Sequence, residues 1–210
     1  MKYIYTAFCI FLFYSAFAQD EENMAADSLS NIRLEYELLD SAAVRRQLAC
    51  RIPEKFSFNK KEDHIILIYS KKDRNLWIVV YLPFAARHIS GSLINLDYRG
   101  EPELIIYGEI DEYGSGGGTG KKCMMIINFD NEPTQLFNVF YGCTEESFGD
   151  KLKDGEGAYY NIYERKITIT SNVISVEPID EKFLSTFSDC LLTQIPAGNY
   201  VMKKGKIIKQ

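Results

Sequence analysis

The chain has 210 residues and a formal net charge of −5, with 46% hydrophobic and 25% charged residues. That composition excludes a disordered or collagen-like chain, and the acidic balance excludes a nucleic-acid binder working through a basic surface. The length suits a single domain with a sizeable core.

The first element is an export signal. Lys2 supplies a short positive start, Ile4 to Phe13 is an uncharged apolar run, and Ala16-Phe17-Ala18 is a small-x-small cleavage pattern. Residues 1–18 are therefore read as a signal peptide cut after Ala18, followed by one β-rich domain over 19–210 whose residues 19–27 form a mobile start. The Gln19 that follows Ala-Phe-Ala resembles export signals common among secreted β-rich proteins of Bacteroidota. Phe8 stands where a lipoprotein signal wants a small residue, so Cys9 reads as an apolar filler. No later apolar stretch is long enough to span a bilayer. The expected product is periplasmic or extracellular, without membrane insertion after cleavage.

Asp27 to Leu48 is expected to be a helix, because Leu29, Ile32, Tyr36 and Leu39 follow helical spacing and Asp27 or Ser28 can cap it. A series of hairpins follows. His64–Tyr69 and Leu76–Leu82 flank a charged turn, Lys71 to Asn75. Glu103–Ile110 and Cys123–Phe129 flank a glycine-rich connection, and Gln135–Tyr141 comes next. Lys151–Gly157 reads as a polar loop. Lys166–Thr170 alternates polar and apolar residues and turns through Ser171-Asn172 into Val173–Glu177. Asp180–Leu192 has helical spacing, and Tyr200–Ile208 is a last hairpin with Gly205 in its turn. The expected fold is mainly β: antiparallel hairpins in a sandwich, an open barrel or propeller-like sheets, with an N-terminal helix and a short helix near the C-terminus.

Two strings draw attention. Gly114-Ser115-Gly116-Gly117-Gly118-Thr119-Gly120-Lys121-Lys122 resembles a phosphate-binding P-loop, but Ser115 stands where the first glycine belongs and Lys122 where Ser or Thr would hold magnesium. A strand follows instead of a helix, so the string reads as a hairpin loop whose glycines let a ligand approach the backbone. Asn95 to Ile106 places oxygen-bearing side chains before a glycine turn. It resembles the Asp-x-Asp-x-Asp-Gly stretch of FG-GAP repeats of integrin-like propellers. That resemblance implies calcium at Asn95, Asp97 and Glu103, with Gly100 in the turn; Arg99 occupies the third ligand position, and a guanidinium cannot ligate a cation.

Catalytic signatures are scarce. The two histidines, His64 and His88, have no metal-ligand spacing, and no nucleophile elbow occurs. Carboxylates at Glu109, Asp111 and Glu112, or at Glu145, Glu146 and Asp150, can make a glycosidase pair only by folding together. Trp77 sits in an apolar strand and reads as core. Tyr98, Tyr107, Tyr113, Tyr141, Tyr159, Tyr160 and Tyr163 cluster around polar segments, as tyrosines of recognition surfaces do. Cys50, Cys123, Cys143 and Cys190 remain after cleavage, and three pairings stay open.

The expected function is that of an exported, non-catalytic binding or interaction module. The alternatives are an envelope protein acting through a protein partner, or a carboxylate-based glycoside hydrolase. The expected binding segment runs from Glu109 to Lys121, with Glu109, Asp111, Tyr113, Gly114, Gly116, Gly117 and Lys121 as its contact residues. No cofactor or catalytic residue is assigned, and the expected partner is a protein or a glycan.

Overall fold

The computed structural model describes residues 31–61, 64–71, 76–84, 86–114, 117–147, 159–179 and 195–210. The expected signal peptide, the segment 19–27, most of the charged turn, the expected polar loop Lys151–Gly157 and the helix expected over Asp180–Leu192 lie outside these residues.

In chain order the elements begin with β1 (Ile32–Arg33), β2 (Tyr36–Asp40), α1 (Ser41–Leu48), β3 (Phe56–Lys61), β4 (His64–Lys71) and β5 (Leu76–Tyr81). Next come β6 (His88–Ile94), β7 (Glu103–Gly114), β8 (Gly117–Asn128) and β9 (Thr134–Ser147). The last are β10 (Tyr159–Glu164), β11 (Ile167–Thr170), β12 (Val173–Val176), β13 (Gly198–Lys203) and β14 (Lys206–Lys209). Pairing is antiparallel throughout.

Three sheets result. One runs β2-β5-β4-β3, another runs β11-β12-β13-β14, and the third has six strands in the order β1-β9-β8-β7-β6, with β10 also on β9. Among the described residues no sheet closes into a barrel and no propeller forms. The sheets stack instead, with the six-stranded sheet in the middle. Leu104, Ile106, Met125 and Ile127 of its strands pack against Ile65, Leu67, Tyr69, Ile78 and Val80 of the β2–β5 sheet. Their neighbours Ile105, Met124 and Ile126 point the other way, into Ile174, Val176, Tyr200 and Met202 of the C-terminal sheet. A strand alternates its side chains, so a sheet covered on both faces needs an unbroken apolar run. Leu104-Ile105-Ile106 and Met124-Met125-Ile126-Ile127 are such runs, and all seven residues are buried.

The same logic explains His64–Tyr69. Ile65, Leu67 and Tyr69 face the middle sheet, while Ile66 and Ile68 join Trp77, Val79 and Val44 under α1. Trp77 is buried there, and its Nε1 donates to Ser41 Oγ at 3.0 Å.

The helix expected from Asp27 is corrected. Within the described part of that range, Ile32 lies in β1 and Tyr36 and Leu39 in β2; only Ser41–Leu48 is helical. The cap is Asp40, whose Oδ1 accepts from Ala43 N at 2.7 Å. The physical reason is the long apolar strand β5. It offers an edge on which Tyr36 to Asp40 pair in register with Val80 to Leu76, and ladder formation outweighs a sparse helical spacing. Three hairpins match their expected boundaries closely. In the last, Lys204 and Gly205 have φ of 52° and 74°, the left-handed pair of a tight two-residue turn.

Candidate functional site

The segment Glu109–Lys121 is not a loop. β7 and β8 continue as paired strands, with Asp111 opposite Gly120, Glu112 opposite Thr119, Tyr113 opposite Gly118 and Gly114 opposite Gly117. Gly116 and the side chain of Tyr113 lie outside the described residues. β9 pairs along the same stretch, which explains one of the glycines: a Cβ at Gly120 would collide with Thr144 Oγ1. Composition signals flexibility, but two long neighbours turn these glycines into strand.

The hairpin has two faces. Tyr107 packs against the cluster shared with the C-terminal sheet, and strand alternation places Glu109 and Asp111 beyond it on that face. Asp111 Oδ2 lies 3.5 Å from Arg87 Nη1. Lys121 alternates to the face opposite Lys122. The expected residues are thus divided between two surfaces.

The calcium stretch keeps a glycine turn that leads into a strand, but the carboxylates of Asp97 and Glu103 serve the chain itself, while Asn95 Oδ1 is buried without a partner among the described residues. Gly100 has φ 63°, and β7 begins at Glu103. Glu103 is fully buried; its Oε2 accepts from Leu96 N at 2.8 Å and its Oε1 from Asn128 Nδ2 at 3.2 Å. Asp97 Oδ1 accepts from Arg99 N at 2.9 Å. Asp130, beyond the motif, accepts from Glu101 N at 2.9 Å. Among the described residues no three His, Cys, Asp or Glu side chains gather as a metal set.

A concave site lies beside the expected segment. It measures about 400 Å³ and is lined by Tyr107, Tyr141, Glu164, Arg165, Lys166, Ile167 and Glu177. Its floor comes from β7 and β9, its rim from the passage between β10 and β11 and from the end of β12. Arg165 N donates to Tyr141 O and Glu177 N to Lys166 O, so backbone bonds hold the rim on the sheets.

Tyr107 and Tyr141 meet edge to face, with ring centroids 6.4 Å apart and planes at 89°. Both are half-buried, and among the described residues neither phenol has a hydrogen-bond partner. Burial pushes both pKa values up, so each phenol stays a neutral donor. Lys122 pairs with Glu164, and that hydrogen bond raises the ammonium pKa most, with a smaller contribution from Glu109. Glu109 also raises Tyr141 by its charge, although it does not line the pocket.

Neither histidine lines the pocket; His64 and His88 are exposed. The side chains of Glu145 and Glu146, and all of Asp150, fall outside the described residues. The tyrosine-rich pattern therefore led to two of the lining residues. Glu164, Arg165, Lys166 and Glu177 carried no signal, since a charged run between two strands reads as a solvated turn. Cys143 is disulfide-bonded, while Cys50 and Cys123 are free. Burial pushes the Cys123 thiol up to about 11, which keeps it unreactive. Compared with protein-family models, with curated proteins and with solved structures, the chain finds no match.

Proposed function

We propose that this chain is an exported, non-catalytic binding module that takes a small molecule, or the end of a glycan, into the pocket walled by Tyr107 and Tyr141. The observation that carries the reading is the pair of half-buried phenols without a hydrogen-bond partner among the described residues. Neither hydroxyl is among the fully buried atoms that lack a partner, so both are open to solvent and available to a ligand. Here the free hydroxyls belong to a concave site whose size falls in the range of small-molecule pockets.

The pocket's acid–base groups do not favour catalysis. Glu164 is held by Lys122, no histidine is present, and Glu177 is exposed. Among the described residues, the large exposed apolar ones, Ile32, Leu38, Tyr98 and Ile162, sit on four different segments, a scatter that needs no partner protein.

The test is a resonance titration of the full-length mature chain with a panel of saccharides and small aromatic acids. The expected result is saturable movement of the Tyr107 and Tyr141 ring signals. Movement confined to other surfaces, no movement with any compound, or conversion of a ligand to product would overturn the reading.

A further inference from the structure

Arg165 is an unusual rim residue. It is 4% exposed and stands between Glu164 and Lys166, both exposed. Its Nη1 donates to Ile195 O at 2.7 Å, while Nε and Nη2 are buried and have no hydrogen-bond partner among the described residues. No carboxylate among the described residues pairs with it. Burial pushes its pKa down, and Tyr200 is the counter-influence. A guanidinium withdrawn from water without a counter-ion is costly, and folded chains normally supply one.

The position of the two idle nitrogens matters. In a planar guanidinium, Nε–H and one Nη2–H point in parallel and match the two oxygens of a carboxylate. Nη1, on the other side, is already anchored by Ile195. Besides Arg165, the charged lining residues are Glu164, which pairs with Lys122 outside the lining, together with Lys166 and Glu177. The lining thus carries two cations and two carboxylates, and what favours an anion is the buried guanidinium of Arg165, whose Nε and Nη2 have no partner among the described residues. The phenols of Tyr107 and Tyr141 flank it with aromatic surface.

We propose, resting on the binding reading above, that the ligand is a small carboxylate on a flat aromatic body, its two oxygens on Arg165 Nε and Nη2 and its ring against Tyr107 and Tyr141. Both nitrogens are buried, so contact with a carboxylate requires a side chain near them to move. Rotamer changes of exposed lining side chains are fast.

The experiment compares benzoate with benzamide, its uncharged counterpart, on the full-length mature chain, by calorimetry and by following the Arg165 Nε–H resonance. Benzoate is expected to bind at least about tenfold more tightly, a difference of about 1.4 kcal/mol, and to move the Arg165 resonance. Arg165→Met is expected to abolish that preference while melting no lower than the wild type, since an apolar side chain relieves an unpaired buried cation. Equal binding of the two probes overturns this inference and leaves the binding reading intact. Absence of binding by either also overturns it, and the saccharide titration then decides the wider reading. A lower melting temperature of Arg165→Met, with benzoate leaving the Arg165 resonance unmoved, assigns the residue to structure alone. The wild-type resonance decides the matter even if the variant does not fold.

Discussion

The two faces of the middle sheet share the same strands and differ in what they enclose. Toward the β2–β5 sheet the contact is sealed: Leu104, Ile106, Met125, Ile127 and Phe129 are buried among Ile65, Leu67, Tyr69, Ile78 and Val80. Tyr69 and Phe129 stack there with centroids 4.0 Å apart and planes at 4°. Toward the C-terminal sheet the contact begins equally dry around Met124 and Ile126, then opens into the pocket beyond Tyr107 and Tyr141. Buried Glu103 and Arg165 are the polar counterpart of that second layer, bonded to Leu96 and Ile195 of its cluster. One sheet thus has a face that supplies stability and a face that supplies a site. The difference arises because successive residues of one strand serve opposite layers.

The largest expected effect breaks the sealed face. Phe129→Ala should cost about 3–5 kcal/mol, as truncation of a fully buried aromatic does, read from urea unfolding. A cost below that of polar changes on the pocket face would contradict the comparison. Next, Glu103→Ala removes the acceptor of Leu96 N and should cost about 1–3 kcal/mol, the range for stranding a buried donor.

Glu103 also has a pH signature. Burial raises its pKa, partly opposed by the hydrogen bonds it accepts. The folded chain then holds this proton more tightly than the unfolded one. Its contribution to stability is fully present below the ordinary carboxylate value and is lost as pH rises through the folded value. The stability difference between the wild type and Glu103→Gln should change across that window and stay flat above it. A flat difference throughout would show that Glu103 titrates normally.

Smaller effects belong to the pocket. Lys122→Met breaks a partly exposed pair with Glu164 and should cost under about 1 kcal/mol. Tyr107→Phe and Tyr141→Phe remove hydroxyls that have no partner among the described residues and should change stability by less than about 0.5 kcal/mol. The two substitutions should nevertheless weaken ligand binding. A larger loss of stability in unfolding experiments would mean that the phenols are structural.

Much of the architecture was legible because it rests on local pattern. Lys166–Thr170 alternates polar and apolar residues and becomes β11, while HIILIY and LWIVVY become strands buried on both faces. The helix expected from Asp27 and the loop expected from Glu109 to Lys121 give way to strand for one common reason. Spacing in the first and glycine content in the second are local signals, whereas the state is set by a neighbour, β5 in the first case and β9 in the second. The short strands β3 and β6 lack a strong pattern and are held by pairing with β4 and β7.

The sequence by itself determined a mainly β, antiparallel protein, with an expected export signal and tyrosines gathered near its polar segments. Those properties follow from periodicity and composition, which act over a few residues. Only the tertiary structure decided that the sheets stack around a doubly covered middle layer, that Glu103 closes its own loop, and that Arg165 lies buried beside Tyr107 and Tyr141. Its neighbours in sequence are charged and exposed, so nothing local distinguishes it. Burial of a charge is a property of the layers that close over it, and those layers meet through residues distant in the chain.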